Sequence, residues 1–162
     1  MPAPTAPLRV LILCTGNSAR SQIAEALFAT KGRGRFVAAS AGSHPVARVN
    51  PFAIAVLAEA GIEWQGRTPR GMDGLEREHW DVVITVCDRA KESCPYFPGQ
   101  PVLAHWGMPD PAEVEGSDEV KRTAFRDTLV TLSRRIDLLL ALPIEQLERL
   151  ALEPRLREIG TQ

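Results

Sequence analysis

The stretch Leu8–Ser21, LRVLILCTGNSARS, constrains this chain more than any other. Leu8 to Leu13 is an almost unbroken apolar run, the pattern of a strand buried on both faces of a parallel sheet. The run stops at Cys14, and Thr15, Gly16, Asn17 and Ser18 follow, all small and turn-prone. From Ser21 the spacing becomes helical, with Ile23, Ala24, Leu27 and Phe28 on one apolar face. The stretch reads as strand, tight loop, helix.

Its parts point to anion chemistry. Backbone N–H groups that converge at a helix N-terminus make a cradle for an oxyanion, here over Thr15, Gly16, Asn17, Ser18, Ala19, Arg20 and Ser21. The planar fork of Arg20 can hold two oxygens of a tetrahedral anion. The same positive surroundings favour the thiolate of Cys14 and predict a pKa in the range of about 3.5–7.5 found at such sites. Ser21 can donate its hydroxyl to that thiolate. A buried, inert cysteine in a crossover is the plainer alternative. Cys, five residues and Arg-Ser at a strand–helix junction argue against it.

At 162 residues the chain is one domain with room for a substantial core. A net charge of −1 gives no reason to expect nucleic acid or an anionic membrane as partner. No apolar stretch approaches the length of a membrane span, and MPAPTAP at residues 1–7 lacks the apolar region of a signal peptide. Those residues read as a disordered arm, and the expected location is cytoplasmic. In that compartment three cysteines argue for catalysis, redox work or metal binding rather than a static disulfide framework.

Further along, Phe36 to Ala39 reads as a second strand ending at Ser40-Ala41-Gly42. Pro51 opens a second helix that Gly61 stops. Trp64 to Gly71 has no period and reads as loop, and Leu75 and Trp80 belong to a short helix on the sheet. Asp81 to Val86 is a second strongly buried strand and delivers Cys87 at its C-terminal end. Val102 to His105 is a fourth strand, leading to the loop that holds Asp110. Phe125, Leu129, Leu132, Ile136 and Leu139 predict a long amphipathic helix ended by Pro143. Ile144 to Ile159 reads as a further helix, interrupted at Pro154. Crossovers feeding parallel strands predict an α/β, doubly wound sandwich. Ligands of such sheets bind beyond the C-terminal strand ends, so Cys14 and Cys87 can share one mouth.

Cys87 and Cys94 are seven residues apart, which is neither a zinc spacing nor Cys-x-x-Cys. On a helix they would share a face about 10.5 Å apart along the axis. A disulfide needs Cα atoms about 4.4–6.8 Å apart, so a helix here would have to melt for them to join. The segment from Asp88 to Phe97 is therefore expected to change shape with redox state. Two unrelated free thiols, or a metal site shared with Cys14 and His105, are the alternatives. Asp110, between two prolines, could be a general acid facing a thiolate and an oxyanion, or simply a turn residue. His44, His79 and His105 form no convincing acid–base pair, and Trp64, Trp80 and Trp106 are expected to fill core or rim.

The motifs together resemble the low-molecular-weight tyrosine phosphatase fold, and within it the thioredoxin-coupled arsenate reductases. The resemblance is carried by Cys14 to Ser21, Ser40-Ala-Gly42, Asn50-Pro51, Cys87 with Cys94-Pro95, and His105-Trp-Gly with Asp110-Pro-Ala112. It spans about Leu8 to Leu140. It implies a four-stranded parallel sheet in the order 2-1-3-4 and a catalytic domain over residues 8–142; the last stretch has no recognisable match, and residues 143–162 are expected to be a C-terminal helical extension.

The implied activity is arsenate reduction by a relay of Cys14, Cys87 and Cys94. Arg20 would hold the anion and Asp110 would protonate the leaving oxygen. A Cys87–Cys94 disulfide would then be reduced by thioredoxin, with no bound cofactor and no catalytic metal. Phosphate and sulfate would compete with arsenate. The rival readings are a tyrosine phosphatase, which would leave Cys87 and Cys94 idle, and a non-catalytic oxyanion-binding or redox-sensing protein. Many of these reductases hold a potassium ion behind the anion loop. Its ligand positions fall on Asn17, Glu25, Ser40 and, by alignment through the irregular stretch, Arg70. A guanidinium cannot ligate a cation, so Arg70 is expected to replace the ion by neutralising Glu25.

Overall fold

The computed structural model describes residues 6–87, 97, 101–143 and 149–162, with backbone alone for 149–151. Cys94 and nearly all of the 88–97 segment lie outside the described residues, as do residues 1–5 of the N-terminal arm and residues 144–148.

Four strands form one parallel sheet in the order β2-β1-β3-β4. They are β1 (Leu8–Cys14), β2 (Phe36–Gly42), β3 (Val82–Thr85) and β4 (Val102–His105). Val10 to Cys14 and all of β3 are buried without a break. Since side chains alternate between the faces of a strand, both faces of the central pair are covered. The register pairs Cys14 with Gly42, Leu13 with Thr85, and Thr85 with His105. All four C-terminal strand ends therefore open onto one edge, where Cys87 just past β3 lies with the loops after β1 and β4.

Helix α1 (Arg20–Lys31) packs on β2 and on the long helix α3 (Asp118–Leu140). Helix α2 (Pro51–Glu59) starts with Pro51, where its missing N–H costs nothing, and is capped by the Asn50 side chain accepting from Phe52 N. Ser117 caps α3 by accepting from Val120 N, and Asp118 and Glu119 complement its N-terminal dipole. Phe125, Leu132, Ile136 and Leu139 are buried along α3, with Leu129 partly so, which is the stripe expected from the spacing. Leu75–Arg77 is one 3-10 turn, and Trp80 lies just past it in the core, donating its indole N–H to Leu75 O at 2.8 Å. Trp64, Trp80 and Trp106 are all buried.

Pro154 does not interrupt the last helix, contrary to expectation. Helix α4 (Arg149–Ile159) contains it and packs on β4 with Leu152, Leu156 and Ile159 buried. The missing hydrogen bond falls in the second turn, and tertiary burial of the apolar face outweighs it. No helix of the described residues is long and apolar enough to cross a membrane.

Gly42 ends β2 where the loop after β1 crosses it. A Cβ there would lie 2.4 Å from Thr15 O and 2.9 Å from Asn17 N, both backbone atoms that cannot step aside. Gly42→Ala should therefore push the loop out of place, destabilise the protein by about 1–3 kcal/mol and weaken anion binding. Thermal melting with and without phosphate checks it. Unchanged melting and affinity would mean that the loop is not held by this contact.

Candidate active site

The loop from Cys14 to Arg20 is turned inside out by its neighbour. The carbonyls of Cys14, Thr15, Gly16 and Ser18 accept from the amides of Ser43, His44, Val46 and Asn50 at 2.8–3.1 Å. A trans peptide points its N–H opposite to its C=O, so the amides of residues 15, 16, 17 and 19 face the other way, towards the sulfur side. Asn17 N reaches Cys14 Sγ at 3.2 Å. Helix α1 begins at Arg20 with no side-chain cap and no acidic residue in its first turn. Its free N–H groups and positive end are thus open to an anion.

Beyond the loop is a cavity of about 630 Å³ lined by Thr15, Arg20, Cys87, Met108, Asp110 and their neighbours. The Thr15 hydroxyl touches Cys87 Sγ at 3.1 Å, so the second thiol is fastened to the residue next to the first. Arg20 is buried and spans the cavity to the loop after β4. Its Nη1 donates to Met108 O at 3.0 Å, and Nη2 lies 3.5 Å from Asp110 Oδ2. The other Asp110 oxygen accepts from Ala112 N at 3.0 Å, which fixes the carboxylate at the turn. Arg20, Cys87 and Asp110 therefore share one mouth with Thr15, the neighbour of the buried Cys14, and the two described cysteines are not bonded to each other. Cys94 lies outside the described residues. Among the described residues no group of three or more His, Cys, Asp or Glu side chains is arranged to hold a metal ion.

Behind the loop, Asn17 is fully buried in the left-handed region at φ 53°, a conformation that asparagine tolerates better than most residues. Its amide group is satisfied on every side. Nδ2 donates to Ser21 Oγ at 2.8 Å and Ser40 Oγ at 2.9 Å, while Oδ1 accepts from Gln22 Nε2 at 3.1 Å and Arg70 N at 2.9 Å. The backbone donor of Arg70 fixes this orientation, because a flipped amide would set N–H against N–H. Gln22 in turn accepts from the Trp64 indole at 2.9 Å, and Ser40 donates to Glu25 Oε1 at 2.8 Å. Gln22 and Trp64 were not among the expected site residues. The local signal for Gln22 is a polar side chain on the buried face of α1, but its partner is 42 residues away.

Residues 9–153 match the low molecular weight phosphotyrosine protein phosphatase family. The chain belongs to that family. Within it, an arsenate reductase of Halalkalibacterium halodurans is 36% identical over 127 residues, covering 78% of this chain and 91% of the relative. A glutaredoxin arsenate reductase of Synechocystis is 31% identical, with 82% of this chain and 96% of the relative covered. Among solved structures, an arsenate reductase from Archaeoglobus fulgidus superposes with a TM-score of 0.64 at 31% identity, covering 82% of this chain and 99% of its own. A thioredoxin-dependent arsenate reductase of Corynebacterium glutamicum superposes with a TM-score of 0.68 at 26% identity, over 88% of this chain and 64% of its own.

The potassium site expected from relatives in this family does not fit the residues present. Asn17 Oδ1 already accepts two N–H groups and the Ser40 hydroxyl is committed to Glu25. The cation within ion-pair distance of Glu25 is the half-exposed Arg67, at 3.7 Å from Oε2, whereas Arg70, expected there, acts on the carboxyl only through its charge. Arg67 is held there by stacking on Trp64, 4.0 Å from the ring centroid. The Arg70 guanidinium turns instead towards Glu78 at 3.9 Å, and only its backbone N–H joins the network. Burial pushes the Glu25 carboxyl up, while the Ser40 hydrogen bond and the Arg67 and Arg70 charges pull it back.

Cys14 also corrects an expectation. It is 2% exposed, and burial raises its thiol above the ordinary value, against the pull of Ser21, the Asn17 amide and Arg20. Because Asn17 Nδ2 already donates to Ser21 Oγ, the Ser21 proton is free to point at sulfur, 2.7 Å away. Burial thus favours the thiol form of Cys14 against three groups that favour its ionisation.

Two measurements follow. In a protein with Cys87 and Cys94 replaced by serine, thiolate absorbance of Cys14 should rise only above the ordinary thiol pKa, and Ser21→Ala should move the rise higher still. A midpoint below neutrality would show that the amides and Arg20 outweigh burial. KCl and NaCl at equal ionic strength should give the same melting temperature and phosphate affinity, and Arg67→Ala should lower the melting temperature without introducing a preference between the two salts. Clear stabilisation of the unaltered protein by potassium over sodium would mean that the ion, not Arg67, serves Glu25.

Proposed function

We propose that this chain reduces arsenate to arsenite with its own thiols. The observation that carries this reading is the second thiol in the anion cavity: Cys87, fastened to Thr15 on the rim shared with Arg20 and Asp110. Hydrolysis of a phosphate ester needs no such group. The names of the relatives in Halalkalibacterium and Synechocystis, and of the two solved structures, support the same activity. No aromatic side chain among the described residues lines the cavity to sandwich a phosphotyrosine ring.

Arsenate is held by the inward amides of the loop and by Arg20, the sites for which phosphate and sulfate compete. The entering dianion takes the proton of Cys14, and the thiolate attacks arsenic. An As–O bond breaks as Asp110 protonates the departing oxygen, leaving an S–As bond. Cys87 then attacks Cys14 sulfur. The S–S bond forms, the S–As bond breaks, and its electron pair stays on arsenic as arsenite. Cys94 attacks Cys87, frees Cys14 and carries the disulfide outwards, where a thiol donor reduces it. Thioredoxin is the proposed donor, supported by the Corynebacterium enzyme's description; the name of the Synechocystis relative makes glutaredoxin the comparison. Three working thiols suit a reducing compartment, so the cytoplasm is the proposed location.

The test is arsenate-dependent NADPH oxidation with thioredoxin and its reductase, run against glutaredoxin. Cys14→Ser, Cys87→Ser and Cys94→Ser should each abolish multiple turnover. Cys94→Ser should still complete one reduction and stop with Cys14 joined to Cys87, as peptide mapping would read. Asp110→Asn should slow the arsenate step by about 10²–10⁴-fold and leave the later thiol exchange alone. Hydrolysis of aryl phosphates without arsenate turnover would return the chain to the phosphatase reading.

A further inference from the structure

A second guanidinium holds the loop that carries Asp110, from the side away from the cavity. We propose that Arg135 of α3 is a positioning residue for Asp110, anchoring the base of its loop while Arg20 is engaged with the anion.

Arg135 is 7% exposed, on a helix face otherwise given to Phe125, Leu132, Ile136 and Leu139. Among the described residues no Asp or Glu side chain forms an ion pair with it. Its partners are main-chain oxygens: Nη1 donates to Trp106 O at 3.0 Å and Gly107 O at 3.3 Å, and Nε to Gln162 O, on the last residue of the sequence, at 3.3 Å. A guanidinium is costly to desolvate, and an apolar side chain would pack on this face at no such cost. What the arginine adds is a rigid fork that fixes backbone.

The backbone it fixes leads into the site. The carbonyls of Trp106, Gly107 and Met108 are consecutive, and all three accept from arginine, the first two from Arg135 and the third from Arg20. Arg20 also faces Asp110 at 3.5 Å. An oxyanion that takes both Nη atoms of Arg20 draws them away from Met108 and Asp110, and the loop loses its front contact. Behind it lies a cavity of about 310 Å³, lined in part by Gly107, Asp110, Thr128, Thr131 and Arg135, into which an unanchored loop could sink. Arg135 keeps residues 106 and 107 in place, helped by the Trp106 indole donating to Leu156 O at 3.1 Å. Asp110 then stays over the departing oxygen.

This rests on the reading of Asp110 as the acid, and the test separates the two. Arg135→Lys and Arg135→Met are made with Asp110 intact and in the Asp110→Asn background. Single turnovers with arsenate should slow about 10–100-fold in Arg135→Met with little change in KM, less in Arg135→Lys, and not at all further in the Asp110→Asn background. Amide exchange of the 107–113 peptide should rise in both variants while that of β1 does not. An equal loss in the Asp110→Asn background, a KM rise with kcat unchanged, or unaltered exchange would overturn the proposal. Should Arg135→Met not fold, Arg135→Lys carries the same comparison. Should the unaltered protein not reduce arsenate, the reading of the substrate fails on its own. The four proteins are then compared on phenyl phosphate, whose leaving group also needs a proton, and exchange decides the anchoring in either case.

Discussion

The carbonyls of Cys14, Thr15, Gly16 and Ser18 are tied to the amides of the 43–50 segment, and the anion cradle is the other side of those same peptides. The cradle is thus a by-product of satisfying backbone acceptors in a tight turn. Its remaining supports serve the same end. Gly42 lets the loop lie against β2, and Asn17 occupies the left-handed position with all its hydrogen bonds made. The parallel register brings Thr85 and His105 to the same edge, so the loops after β3 and β4 can supply Cys87 and Asp110.

How much of this could be read from residues alone depended on range. Leu8–Ser21 was legible because burial of a central strand, small loop residues and a helical stripe are all local patterns. The stripe on α3 was legible for the same reason. Pro154 misled because its local effect is real but small beside the burial of Leu152, Leu156 and Ile159 on β4. Arg67 and Arg70 lie three residues apart in an irregular stretch, and only the stacking of Arg67 on Trp64 decides which one meets Glu25. The ionisation of Cys14 was misjudged because sequence shows the donors near the sulfur but not the depth at which it sits. Arg135 gave no signal at all: an arginine on a long helix reads as solvated until its distant carbonyls are known.

The two arginines nearest the chemistry divide a task. Arg20 answers to whichever acceptor is present, backbone, carboxylate or anion, and so can change partners. Arg135 bonds only to main-chain oxygens and is paired with no Asp or Glu side chain among the described residues that could lure it away. A buried cation is ordinarily a liability in a core, yet Arg135 does not line the anion cavity, so its contact is indifferent to the charge state there.

The depth of Cys14 bears on how the protein survives between encounters with its substrate. Peroxides and stray disulfides react with sulfur in proportion to its thiolate character and exposure, and the resting sulfur is low in both. Its quiescence is therefore a form of latency. If Cys14 is the nucleophile proposed above, one woken by the arrival of its own cargo can meet passing oxidants without being spent on them.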